Sequence, residues 1–204
     1  MDEKAHWEKV YQTKSPDAVS WYRPHLERSL ELIRKAAAGF DAAILDVGAG
    51  AATLVDDLLN EGYRNVSVLD ISETAIGVSK ERLGERAALV NWICANICEV
   101  ELPEKCFDVW HDRAVFHFLT SEEQRLAYVR NVARSVKSGG RVMVATFGPE
   151  GPEKCSGLSV MRYDADSLHG QFGARFELVE SVTELHETPF GTTQQFLYCL
   201  CKIA

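Results

Sequence analysis

One stretch, Ala43-Ile44-Leu45-Asp46-Val47-Gly48-Ala49-Gly50-Ala51, narrows the folds open to this chain more than any other. An apolar run that ends in an acid and then two glycines one apart reads as a buried parallel strand turning sharply into a helix. Gly48 and Gly50 carry no β-carbon, so the backbone can take positive φ and a ligand can lie against the main chain. The pyrophosphate fingerprint Gly-x-Gly-x-x-Gly is not met, because Thr53 stands where its third glycine would be. The unit points to a nucleotide-type cofactor held by another pattern.

The rest of the chain alternates strand and helix around that unit. Pro24 opens a helix whose stripe is Leu26, Leu30, Ile33 and Ala37, and Gly39 stops it. Val66-Ser67-Val68-Leu69-Asp70 is a second strand ending in an acid, 24 residues after Asp46, with Ser72 free to cap the following helix. That spacing suits a carboxylate meeting the ribose hydroxyls of a nucleoside held over the first turn. Further strands are expected at 89–96, 107–110 and 141–147, and a closing pair at 176–182 and 195–203 joined without a helix. The architecture expected is therefore α/β: a Rossmann-like, doubly wound, seven-stranded and mostly parallel sheet with an antiparallel C-terminal strand.

Composition bounds the function. At 204 residues the chain suits one domain, divided into an N-terminal helical arm or lid (1–40) and the core (41–204). A net charge of −8 argues against nucleic-acid partners. No run of apolar residues is long enough to span a membrane, and Met1-Asp2-Glu3-Lys4 does not begin a secretory signal, so a cytoplasmic protein is expected. None of the six cysteines forms a Cys-x-x-Cys pair and no acid cluster suits a metal, so no metal site is expected.

The polar triplet His111-Asp112-Arg113 lies between apolar runs at an expected strand tip, where open α/β sheets place ligands. Trp7 and Tyr11, four residues apart, share a helical face and are followed by Ser20-Trp21-Tyr22. This arm either packs on the core through its aromatics or covers a bound cofactor. Cys155 stands in the Gly- and Pro-rich loop 148–157 and is expected to be exposed.

Asp-x-Gly-x-Gly at 46–50, Asp70, the triplet, Lys-x-Gly-Gly at 137–140 and the closing strands together resemble class I S-adenosylmethionine-dependent methyltransferases. The arm and the sequence 110–119 look like a bacterial branch of small, single-domain members acting on small molecules. The resemblance implies S-adenosylmethionine as cofactor, bound by Asp46 at its ammonium, Gly48 and Gly50, Asp70 at the ribose, Ile71, Asn96 and Ile97 at the adenine, the carbonyl of His111, and Trp7, Tyr11 and Trp21 of the arm. Asn96 replaces the family's usual acid, and its amide oxygen would accept from the adenine amino group. The resemblance places His111, Asp112 and His117 near the transferred methyl as candidate bases, and Arg113, Phe116, His117 and Cys155 at the acceptor. A small-molecule acceptor is expected, preferably a thiol, sulfide or related chalcogen, in a monomer or homodimer without a nucleic-acid or membrane partner. A protein lysine or N-terminal methyltransferase, a non-catalytic binder of the cofactor and a Rossmann dehydrogenase remain open alternatives.

Overall fold

The structure, a computed structural model, describes residues 2–204. The first half runs α1 (Glu3–Thr13), a 3-10 turn (Pro16–Ala18), α2 (Glu27–Ala36), β1 (Ile44–Val47), α3 (Leu54–Glu61), β2 (Val66–Asp70), α4 (Glu73–Leu83) and β3 (Val90–Cys94). The second half runs β4 (Phe107–Arg113), α5 (Glu122–Ser135), β5 (Val136–Phe147), β6 (Lys154–Cys155), β7 (Leu158–Ser159), α6 (Ala165–Phe172), β8 (Phe176–Glu187) and β9 (Thr193–Ile203). Seven strands form one sheet in the order β3-β2-β1-β4-β5-β9-β8, and β6 pairs with β7 in a separate hairpin. β3 through β5 are parallel neighbours, while β9 runs antiparallel to both β5 and β8. The doubly wound sheet and antiparallel final strand expected from the sequence are what the chain forms.

Each strand serves two cores because successive side chains leave opposite faces. Leu45 and Val47 of β1, Trp110 of β4 and Val142 and Val144 of β5 pack with Tyr128 and Val132 of α5 and Leu168 of α6. Ile44, Val109, Met143 and Ala145 leave the other face and pack with Leu30 and Ile33 of α2 and Leu54 and Leu58 of α3. Each such fully buried aliphatic side chain contributes about 1.5–3 kcal/mol.

Three boundaries depart from the sequence reading. β4 runs on through Arg113 instead of ending at Trp110, so His111 and Asp112 are strand residues. β5 begins at Val136, directly after α5, and absorbs Gly139 at φ 79° and a register shift against β4. A glycine that can take positive φ bends a strand there without ending it. Finally, α2 buries Leu30, Leu32 and Ile33 in the core, so only the chain before it can serve as a cover.

Candidate functional site

The strand order reverses between β1 and β4, and in open α/β sheets a crevice forms beyond the carboxyl ends at such a point. A cavity of about 360 Å³ lies there. Its floor is the β1 turn, where Gly48, which lines the cavity, and Gly50, which lies under the Tyr11 side chain and does not line it, take φ of 63° and 57°. A β-carbon on Gly48 would run into Val115 Cγ2, and one on Gly50 into the Tyr11 hydroxyl. Both positions are thus restricted twice, by backbone conformation and by space.

Asp70 ends β2 beside this turn. Its carboxylate accepts from Gly50 N–H at 2.7 Å and Ser72 N–H at 2.8 Å, while the Ser72 hydroxyl caps α4 by accepting from Ala75 N–H. Burial pushes Asp70 up to about 6, against the pull of those two N–H groups and with help from Asp46. Two of its four lone-pair sites are used, which leaves acceptors for a pair of hydroxyls. Ile71, Asn96 and Ile97 also line the cavity. The Asn96 side chain is committed to a local turn, accepting from Cys98 N–H at 3.0 Å and donating to Glu99.

Asp46 and His111 are register partners on β1 and β4, so their side chains leave the same face. His111 Nδ1 lies 2.7 Å from Asp46 Oδ1 and its Nε2 lies 2.9 Å from Ser29 Oγ on α2. One step along the strand the direction inverts. Asp112 points to the α5 side, where it accepts from Tyr128 O–H at 2.6 Å and from Val115 and Phe116 N–H. Burial raises it to about 6, though these donors and His111 oppose the shift.

The sequence placed Asp112, His117 and Phe116 in the reaction chamber; none of them lines it. The reason is strand alternation for Asp112. For Phe116 and His117 it is the 3-10 turn Phe116–Phe118, which sends Phe116 against Tyr128 and Phe172 and His117 against Phe147. His117 Nδ1 accepts from Phe147 N–H, and burial, with Arg113 nearby, lowers the ring to about 3.

The opposite wall comes from remote segments. Arg113 donates from Nε to Tyr198 Oη at 3.0 Å and from Nη1 to the Trp21 carbonyl at 3.1 Å, and lies 4.3 Å from the centre of the Phe196 ring. Its Nη2 has no protein partner. Cys155 lines the cavity from the β6–β7 hairpin but is 4% exposed, and burial pushes its thiol up to about 12. The expected exposed loop cysteine is therefore a neutral wall residue, and Cys94 is the exposed cysteine.

The arm closes the top. Trp7 meets the rings of Trp21 and Phe118 edge-on at 5.9 and 5.1 Å, and Trp7, Tyr11 and Trp21 all line the cavity. Sequence reasoning missed what fastens it. Glu8 accepts from Glu73 N–H at 2.6 Å, Thr74 N–H at 3.2 Å and Ser72 O–H at 3.1 Å, so a carboxylate of α1 occupies the positive end of α4. Gln124 Nε2 donates to Glu3 at 3.0 Å. Ser29 and His6 were missed too; His6 lines the cavity and its Nε2 has no partner. No local pattern marks a cap supplied from 65 residues away, so Glu8 carried no signal. Among the described residues no cluster of three metal-ligating side chains occurs, and no helix is long and apolar enough to cross a membrane.

Residues 45–144 match the family model described as "Methyltransferase domain". The chain is 29% identical over 138 residues to the eEF1A lysine and N-terminal methyltransferase of Mus musculus, covering 68% of this chain and 19% of that protein. It is 34% identical over 107 residues to the malonyl-[acyl-carrier protein] O-methyltransferase of Anoxybacillus flavithermus, covering 52% of this chain and 39% of that protein. The chain thus spans less than half the length of either relative. Among solved structures, the 1,6-didemethyltoxoflavin-N1-methyltransferase of Burkholderia thailandensis, with 1,6-didemethyltoxoflavin and S-adenosylhomocysteine bound, matches at a TM-score of 0.76. That alignment is 20% identical and covers 98% of this chain and 87% of the other. A likeness at that identity carries the fold, not the substrate.

Proposed function

This chain belongs to the class I S-adenosylmethionine-dependent methyltransferases, and from that premise we propose that it methylates a small-molecule acceptor with a soft nucleophile: a thiol, a sulfide or a related chalcogen. The observation that carries this reading is the cavity itself, which the arm covers on one side and in which none of the three groups nominated as bases is free to act. Both His111 nitrogens are engaged, while Asp112 and His117 point elsewhere. A chamber built in this way works by orientation, and suits an acceptor that brings its own reactive electron pair. A thiol near pKa 8.5 is already a few per cent thiolate at neutral pH, whereas an aliphatic alcohol needs a base.

S-adenosylmethionine is the cofactor, and when bound it supplies a methyl group already activated on a sulfonium. The residues present fit it: one oxygen of the buried Asp46 carboxylate is taken up by His111, leaving the other for an ammonium, and Asp70 keeps acceptors for ribose hydroxyls. In this reading Ile71, Asn96 and Ile97 flank the adenine, and Gly48 and Gly50 let the cofactor approach the main chain. Trp7, Tyr11 and Trp21 exclude water. Arg113, fixed by Tyr198 and Trp21, puts a positive charge beside the acceptor and favours its anionic form. Holding two reacting atoms in line at about 3–3.5 Å supplies roughly 7–11 kcal/mol, and it is this that the chain's walls contribute.

Two observations favour other acceptors. The Mus musculus relative's name specifies a protein substrate, and His6 is an unengaged imidazole in the chamber. The test is S-adenosylhomocysteine release with a panel of thiols, sulfide, phenols, amines and a basic peptide, in wild type and His6→Ala. Release confined to thiols and sulfide, changed less than about tenfold by His6→Ala, supports the proposal. Release with phenols or amines that falls by roughly 10²–10⁴ in His6→Ala would replace it with base catalysis. Release with the peptide alone would move the acceptor class to protein. The free thiols fit a reducing cytoplasm, the compartment we propose.

A further inference from the structure

We propose that Ser29 and His111 are positioning residues for the ammonium end of the cofactor, acting through Asp46. This rests on the reading that Asp46 faces that ammonium. The three side chains form a continuous buried line, Ser29 Oγ to His111 Nε2 at 2.9 Å and His111 Nδ1 to Asp46 Oδ1 at 2.7 Å, with 0%, 1% and 3% of each residue exposed. They come from α2, β4 and β1, and so brace one carboxylate from three elements.

Two placements of the imidazole protons satisfy these contacts. In the first the ring is charged and donates to both partners, so Asp46 and His111 form a pair without net charge. In the second the Ser29 hydroxyl donates to Nε2, the only ring proton sits on Nδ1, and the pair keeps the negative charge of Asp46. An ammonium arriving beside Asp46 selects the second, because a charged imidazole directly behind the carboxylate would oppose it. Ser29 holds the ring in the tautomer the ligand needs. The geometry resembles a nucleophilic triad in its parts but serves the opposite purpose: the hydroxyl is sealed, and the carboxylate is the end that faces the cavity.

The test compares two ligands with the same nucleoside. S-adenosylhomocysteine carries the ammonium, and 5′-methylthioadenosine lacks it. Calorimetric affinities for Ser29→Ala are expected to fall about tenfold for S-adenosylhomocysteine and to stay within about twofold for methylthioadenosine. Ser29→Thr, which keeps the hydroxyl, is expected to restore the difference, and His111→Gln to enlarge it. In steady state the KM for S-adenosylmethionine should rise with kcat little changed. Asp46→Asn separates the two layers of the argument. If it leaves S-adenosylhomocysteine affinity intact, the reading of Asp46 fails, and the relay with it. If it weakens that ligand selectively while Ser29→Ala changes neither ligand, or both equally, the positioning role alone is overturned.

Discussion

The wall formed by β1, β2 and β3 carries its ligand-facing groups at strand ends and on the turns directly after them, whereas the wall opposite draws Trp21, Arg113 and Cys155 from three segments that meet only in the folded chain. On the first wall the geometry is set by main-chain conformation: Gly48 and Gly50 at positive φ and Asp70 clasping two N–H groups. On the second it is set by side chains that lean on one another, as Arg113 does on Tyr198, Trp21 and Phe196. A wall of the first kind is rigid and tied to one ligand. A wall of the second kind can be re-cut by exchanging side chains without disturbing the first, which is how one cofactor comes to serve many acceptors on a single fold.

The largest effect should break the first wall alone. Asp70→Asn exchanges a charged acceptor of two hydroxyls for a neutral one, and we expect S-adenosylhomocysteine affinity to fall by about 100-fold or more in calorimetry. Affinity within a few-fold of wild type would remove Asp70 from the ribose. Next, Arg113→Met should raise acceptor KM by roughly 10–100-fold while KM for S-adenosylmethionine moves by less than about threefold; equal changes in both would mean that the walls are not separable.

A pH series sharpens the contrast. Burial holds Asp70 at about 6, so its ionised form, the better hydroxyl acceptor, is lost as the pH falls through that value. Cofactor affinity should therefore drop about tenfold between pH 7.5 and 5, and Asp70→Asn should flatten the profile. Stability without cofactor runs the other way. Asp70 and Asp112, both raised to about 6 from 3.8, contribute stability that is fully present below pH 3.8 and lost as the pH rises through 6. Because His117, lowered to about 3, contributes the opposite trend, the carboxylate effect is read as a difference: between pH 5.5 and pH 7.5 the ligand-free wild type should lose more stability, or gain less, than Asp70→Asn in thermal melts. The smallest effect is Glu8→Gln, which loosens the arm over both walls. Hydrogen bonds from Thr74, Glu73 and Ser72 outweigh the opposing effect of burial and lower the pKa of Glu8, and loss of its charge should change both KM values by about threefold.

The first wall was legible because an acid followed by paired glycines states a backbone conformation that few alternatives satisfy. The second was legible in composition but not in orientation. Whether His111 or Asp112 faces the cavity depends on where β4 ends, and a strand three residues longer than expected put them on opposite faces. Cys155 was misjudged because its burial depends on the β6–β7 hairpin folding over the cavity, a pairing its Gly- and Pro-rich flanks conceal. Ser29 looked like any helix residue, since its partner lies 82 positions away.

The Glu8 clasp has a kinetic corollary. Because α1 lies over the cavity and is fastened at Gln124 and at the start of α4, one segment covers both the cofactor and the acceptor side. If spent cofactor and methylated product leave as α1 unlatches and that step paces turnover, Glu8→Gln should raise kcat as well as change the two KM values. The enzyme should then show a burst in its first cycle, and S-adenosylhomocysteine should act less as a competitor at the threshold than as an occupant slow to depart.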